Sequence, residues 1–516
     1  MNQGFRRFCA LAAGGFSVLS ALVVYTVVVT FGQRDFYLKR SFLLPQPQLL
    51  LAGTGGIALL CTALGLLSGR KKPLGRIYGW RAWAPSCAFW LLLLAFQAFV
   101  SYHAYFLCDW DVGNILESAY NMAAYGDYIN HAYFSMYPNN VLLAECFAAL
   151  IALFRAVAGD AGYDRCVLIL ILVQCVLNTA ACMLCSWAAE RMSGSRAFEA
   201  AVGAVCVLLV GFSPWTMVPY SDGMALVIPM AVFCLYLLRQ ELRWRWICWY
   251  GIGALTALGY MLKPQAAIMG MAIVLLETAR MLLQRRWKPW KREMGCLLLA
   301  LLVVLGPMQS AVKSRSLIEV DEEQNIGALH FVMMGLNREM SGTYSFEDQM
   351  ISTTAEGVKQ RGTVQRAEIA KRVSEMGVGG LLELMQEKTL INFGDGTFAW
   401  GINGVFFHTM IEDKDEVFSP LFKDILYTSG KLYKPFSTML QAVWLGVLAG
   451  CVLALLALRR ADERQGNALC VLCIALVGLM VFEWLFEAKA RYLYLYAPQF
   501  VLLGVGGIWA LCVRRK

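Results

Sequence analysis

Four short stretches place ionisable residues where apolar runs stop. Cys108-Asp109-Trp110-Asp111 follows an apolar run at 84–102. Tyr220-Ser221-Asp222-Gly223 lies at the junction of the runs 198–217 and 222–238. Lys263-Pro264-Gln265 separates 245–262 from 264–284, and Glu487, Lys489 and Arg491 lie at the junction of 467–486 and 490–512. Two neighbouring carboxylates such as Asp109 and Asp111 suit a general base or a metal ligand. Lys263 and Arg491 suit a phosphate, whose charge a cation neutralises as a bond to it breaks. Carboxylates beside cations on one face therefore fit chemistry on a phosphorylated lipid, with an Asp activating a hydroxyl. Each group also has a structural reading. Asp109 and Asp111 read as solvated loop acids, Asp222 as a helix N-cap, and Lys263 as a cation snorkelling to headgroups. Arg491 and Glu487 read as a local i, i+4 ion pair.

The remaining metal-type residues form no such set. His103, His131, His330 and His408 share no ligand spacing. Two CxxC pairs, Cys182/Cys185 and Cys470/Cys473, fall inside apolar runs, where cysteine is a small buried hydrophobe.

The elements that must position these residues are membrane helices. Of 516 residues, 59% are hydrophobic and 16% charged, against about 45–50% and about 25% in soluble domains. Mean hydropathy is +0.55. A soluble enzyme, a disordered chain and a disulfide scaffold are excluded. The net charge of +9 sits in short clusters beside apolar runs, such as Arg70, Lys71, Lys72, Arg76 and Arg81. That distribution suits membrane-flanking loops and gives no nucleic-acid footprint.

A crossing helix needs roughly 20 apolar residues. Twelve runs qualify: 9–31, 47–67, 84–102, 166–188, 198–217, 222–238, 245–262, 264–284, 295–312, 440–459, 467–486 and 490–512. A further stretch, 141–157, is ambiguous. If it lies in the interface, the basic clusters at 70–81, 191–196, 239–245, 280–292, 459–464 and 514–516 share one side. The segment 32–46 is the exception. The positive-inside rule then gives a multi-pass cell-membrane protein with both termini cytoplasmic and the ionisable groups on the extracytoplasmic face. Residues 1–83 form an N-terminal hairpin. Residues 84–312 form a membrane module with a first outer loop at 103–164, and 439–516 return to the membrane. The segment 313–438 holds 13 Lys/Arg and 18 Asp/Glu and reads as a mainly helical extracytoplasmic lobe. Within it, 363–389 has helical spacing that Gly377, Gly379 and Gly380 divide.

The order of these features resembles the C-type glycosyltransferases (GT-C), in the branch that holds protein O-mannosyltransferases and aminoarabinose transferases. The stretch from Asp111 to Met122, closed by Gly126-Asp127-Tyr128, resembles their first outer loop, where an Asp opens a short helix. Tyr137-Pro138-Asn139-Asn140, ahead of 141–157, resembles the Pro-led interfacial helix that follows. The resemblance covers 84–312 well and 440–512 loosely. It implies an all-α GT-C fold of about 12 transmembrane helices with interfacial helices in the first loop. It implies transfer of a sugar from a polyprenyl-phosphate carrier to a glycan, lipid or protein acceptor at the bilayer. Asp111, or else Asp109, would be the base, and Asp222 would shape the acceptor or metal site. Lys263 and Arg491 would hold phosphate, and Tyr137, Asn139 and His330 would line the substrate. The sequence departs from the family in two ways. Asp109 stands two residues before Asp111, and Val112 replaces the usual Glu. A second acidic pair is not evident, so no cofactor is certain, although a divalent metal stays open. A lipid-linked-sugar flippase and a polysaccharide ligase are the alternatives. Ionisable residues at helix ends rather than at the midplane favour the enzyme.

Overall fold

The computed structural model describes residues 3–30, 42–69, 80–403 and 407–513. The basic residues at 34–40, 70–76 and 514–516 lie outside them, as do Gly404 and the side chains of Arg81 and His408.

Helices dominate, and the twelve apolar runs all fall on helical segments. Ten helices among the described residues are long and apolar enough to cross a membrane. Nine coincide with expected crossings, and the tenth is Pro138–Ala158. Length and composition therefore do not set 141–157 apart from the expected crossings. Three expected crossings fall short of the criterion for local reasons. The run 198–217 is interrupted by a π-helical turn at Val207–Gly211. Arg245–Leu262 carries Arg245 and polar-edged aromatics. Ala497–Cys512 is 16 residues long.

The bundle closes through glycine. Helix Gln46–Gly69 crosses Tyr433–Val452 so tightly that a Cβ on Gly53 would lie 1.7 Å from the Ala442 carbonyl oxygen. Two turns along, a Cβ on Gly450 would lie 2.0 Å from the Gly504 oxygen of Ala497–Cys512. Hydrocarbon offers no hydrophobic drive between helices, so close backbone approach and dispersion take over.

The first loop after Trp80–Ala104 forms as its pattern indicates. Helix Trp110–Tyr125 ends at Gly126, whose left-handed φ of 73° lets its N–H reach the Met122 carbonyl at 3.2 Å. Just before it, Phe106–Cys108 pairs antiparallel with Phe407–Met410, the one β-ribbon among the described residues. The polar segment runs from 316 to 432, shorter than expected. Its flanking helices, Trp287–Arg315 and Tyr433–Val452, continue past their apolar runs. Inside it, helix Gly357–Phe393 is broken at Gly377 (φ 57°, ψ −168°), the first of the three glycines noted above.

Gly450→Leu should force apart Tyr433–Val452 and Ala497–Cys512. Overpacking of this kind costs about 1–3 kcal/mol. A lower melting temperature in detergent is expected; an unchanged one would show that these helices can separate without loss.

Candidate functional site

Three helix breaks meet at one end of the bundle. The first follows Arg196–Cys206, where the π turn at Val207–Gly211 widens the helix before it stops at Phe212. Breaking a helix in apolar surroundings frees carbonyls that need donors. Gln97 Nε2 reaches the Gly211 oxygen at 2.8 Å, and Asn178 Nδ2 reaches that of Val210 at 3.2 Å. Gln174 Nε2 then takes the Trp215 and Val218 oxygens at 2.6 and 2.8 Å. Gln174 also fixes the next residues: a Cβ on Gly223 would lie 2.5 Å from its Cδ.

The second break is Lys263-Pro264. A residue before proline is pushed out of the helical region, and Lys263 sits at φ −156°, ψ 114°. Its side chain therefore leaves the axis of Arg245–Leu262. The third break separates Glu463–Leu485 from the short helix Arg491–Tyr494. Two tyrosines tie the three together. Tyr496 Oη accepts from Met269 N at 2.9 Å and donates to the Gln265 oxygen at 3.0 Å. Tyr494 Oη accepts from Asn178 Nδ2 at 2.6 Å.

These breaks bring Asp222, Lys263 and Arg491 into contact. Lys263 Nζ lies 2.5 Å from Asp222 Oδ1, and Arg491 Nε lies 3.1 Å from Asp222 Oδ2. All three are buried. Aromatic faces back the cations. Lys263 Nζ is 4.3 Å from the Tyr492 ring centroid, and the Arg491 guanidinium is 4.9 Å from that of Tyr220. Burial lowers the Lys263 pKa, and the Asp222 carboxylate opposes that shift. The three structural readings of these residues do not hold. Asp222 lies inside helix Ser221–Met224, whose N-cap is Tyr220. Lys263 is buried in an ion pair instead of snorkelling. Arg491 reaches Asp222, while Glu487 takes Tyr492 Oη at 2.9 Å and Lys489 at 3.8 Å.

The two first-loop acids point apart. Asp109 is exposed at the N-cap, where it accepts from Trp110 N at 2.8 Å. Trp110 has a positive φ of 57°, a turn that a bulky residue rarely adopts. Past that turn Asp111 is half-buried, and Tyr220 Oη lies 3.4 Å from its Oδ2. Asp111 thus faces the ion-paired set across one tyrosine. Burial pushes the Tyr220 phenol well above its ordinary pKa, and Asp111 adds to that shift.

Of the remaining expected residues, Tyr137 is half-buried beside Tyr133, with ring centroids 5.3 Å apart. Its pKa is raised by burial first and by Asp111 second. Asn139 is exposed and donates to Asn140 Oδ1; it is Asn140 that is buried, on Tyr133 Oη at 2.7 Å. His330 lies inside the polar segment with Nδ1 2.8 Å from Ser352 Oγ, and burial lowers its pKa. Among the described residues no hydrogen bond or ion pair joins it to Asp222. Among the described residues no group of three or more His, Cys, Asp or Glu gathers as a metal would require.

Two residues of the site escape sequence reading. Lys388 is fully buried and donates from Nζ to the oxygens of Gly335, Trp484 and Phe486 at 2.9, 2.7 and 2.6 Å. It caps the end of Glu463–Leu485 just before the turn that carries Glu487 and Arg491. Nothing in its local pattern marks it. Glu483 is fully buried, with neither carboxyl oxygen hydrogen-bonded among the described residues. The signal for it was present, as one acid within an apolar run.

With this geometry in place, comparison with known proteins gives the family. A model described as "Conserved hypothetical integral membrane protein" matches residues 46–508. The chain belongs to that family. It is accordingly an integral membrane protein. No curated protein matches it. Two crystal structures of ArnT from Cupriavidus metallidurans are similar at a TM-score of 0.35 and 15% identity. One, bound to undecaprenyl phosphate, aligns over 82% of this chain and 77% of its own; the apo form aligns over 83% and 78%. A superposition this loose assigns no residue.

Lys388→Met should leave three carbonyls without a donor. Each buried unmade hydrogen bond costs about 1–3 kcal/mol, so a marked fall in melting temperature is expected. The pH dependence has a definite sign. Burial lowers the Lys388 pKa to about 8 from an ordinary 10.5. Between those values the unfolded chain binds more protons than the native one, so Lys388 makes stability rise with pH there. Below pH 8 its penalty is constant. Melts from pH 7.5 to 10 should show that rise in wild type and not in Lys388→Met. An equal rise in both would remove Lys388 as its source.

Proposed function

We propose that this protein is a membrane glycosyltransferase that moves a sugar from a polyprenyl-phosphate carrier to an acceptor hydroxyl, with inversion. The observation that carries the reading is Asp222 held between Lys263 and Arg491, with Asp111 across Tyr220. Two buried cations sharing one carboxylate can turn toward a phosphate without leaving their pockets. In this reading Lys263 and Arg491 bind the donor phosphate. Asp111 takes the acceptor proton, and the acceptor oxygen attacks the anomeric carbon. The bond from that carbon to the phosphate oxygen breaks, and the phosphate leaves with its charge met by the two cations. Asp222 positions both cations while the site is empty.

The family and the helices make the bilayer the protein's surroundings, and a polyprenyl tail can lie there against exposed apolar helix faces. The face is assigned by charge: the basic clusters mark the cytoplasmic side with both termini, and the site opens on the other. The segment 316–432 stands at the same end as the site. Its cleft of about 950 Å³, lined by Glu347, Asp348, Glu368, Arg372 and Glu387, has room for an acceptor.

The test is sugar transfer from defined polyprenyl-monophosphate sugars by purified wild type and variants. Asp111→Asn should lose about 10²–10⁴-fold in rate, and Asp109→Asn should stay within a few-fold of wild type. Lys263→Met and Arg491→Gln should weaken donor binding. Wild-type rates from a folded Asp111→Asn would remove Asp111 as base. A folded wild type that leaves every donor intact yet moves lipid-linked sugar across a vesicle membrane would replace this reading with transport.

A further inference from the structure

The opposite end of the bundle holds a second charged cavity, independent of the reading above. Helix Arg245–Leu262 has Lys263 at one end and this cavity at the other, about 27 Å away at 1.5 Å per residue. Four helix ends meet there: those of Val227–Leu238 and Ile268–Gln284 finish, and Arg245–Leu262 and Trp287–Arg315 begin. The cavity measures about 110 Å³ and is lined by Arg239, Arg245, Arg280 and Arg286 with Glu277 and Glu293. A single water needs roughly 10–15 Å³ of such space, so a tetrahedral oxyanion fits.

The inner wall is a closed set. Glu277 accepts from Tyr236 Oη at 2.7 Å, from Arg280 Nη1 at 2.6 and 2.7 Å, and from Arg239 Nη2 at 3.2 Å. Arg239 also lies over the Tyr236 ring at 3.4 Å and donates to the Tyr236 carbonyl. One donor of this wall is left over: Arg280 Nη2 is buried with no hydrogen-bond partner among the described residues. Such groups ordinarily find an acceptor. The rim adds charge. Arg245 and Arg286 are exposed. Arg286 is delivered by Arg285, a non-glycine in the left-handed region at φ 54°. Each stands at a helix start, where backbone N–H groups favour an anion. Beside the rim, Trp246, Leu282 and Trp287 are exposed, as residues in contact with lipid at an interface are.

We propose that this cavity binds the phosphate group of an anionic phospholipid, at the membrane face opposite Asp222. Four guanidiniums face two carboxylates, one buried guanidinium nitrogen lacks an acceptor, and apolar side chains at the rim meet the acyl region. Basic pockets between membrane helices take such headgroups for these reasons.

The test is native mass spectrometry of the purified full chain in detergent, titrated with phosphatidylglycerol or with phosphatidylcholine. Wild type should retain phosphatidylglycerol in preference. The double variant R245Q/R286Q removes only exposed side chains, and its melting temperature checks the fold. It should bind phosphatidylglycerol about thirtyfold more weakly. K288Q/R292Q, which removes two exposed cations of the same end that do not line the cavity, should bind as wild type. Retained preference in R245Q/R286Q, or equal loss in both variants, would overturn the site. Displacement of the lipid by millimolar inorganic phosphate would overturn the lipid as its source.

Discussion

The site depends on one constraint: a helix that stops within apolar surroundings must find donors for the carbonyls it frees. Three helices stop at one end of this bundle, and the polar groups that satisfy them are shared. Tyr494 and Tyr496, both fully buried, belong to the third break and donate to the Val210 oxygen of the first and the Gln265 oxygen of the second. Gln97, Asn178 and Gln174 complete the set from the neighbouring helices Trp80–Ala104 and Tyr163–Ser193. The charged residues are then placed as a consequence. Asp222, Lys263 and Arg491 each sit at one break, so tying the breaks together brings the charges together.

That dependence explains which parts of the molecule could be read from sequence. Apolar runs report removal from water, whether into the protein or into lipid, and all twelve fall on helices. Gly126 and the glycines near 377 act locally, so the short first-loop helix and the division of 363–389 were legible too. The count of crossings was less so. A π turn breaks 198–217, Arg245 and polar-edged aromatics dilute Arg245–Leu262, and Ala497–Cys512 is short, while Pro138–Ala158 is as apolar as a span. Asp222, Lys263 and Arg491 stood out because charge beside hydrocarbon is costly. Their mutual pairing was not legible, since it is set by breaks far apart in the chain. Lys388 was invisible for the same reason: its three acceptors are backbone carbonyls, which have no sequence signature.

The polar segment is more than a cover. Lys388 comes from its longest helix, yet its ammonium is spent on the end of a membrane helix. Ala488 N also donates to the Gly342 oxygen at 2.7 Å. The turn that presents Glu487, Lys489 and Arg491 is thus gripped by 335–342 and 388 from one side and by tyrosines from the other. The segment is therefore tied to the turn of Arg491 by the Lys388 ammonium and by the Ala488–Gly342 backbone bond.

The chain order of the ion-paired residues has a consequence for biosynthesis. Asp222 and Lys263 flank a single helical hairpin, so they emerge from the ribosome close together. They can neutralise one another as that hairpin enters the bilayer, which lowers the cost of passing either charge. Arg491 belongs to the last hairpin made. The second cation therefore joins a pair already formed, and the nascent protein carries a balanced site until its final helices are in place.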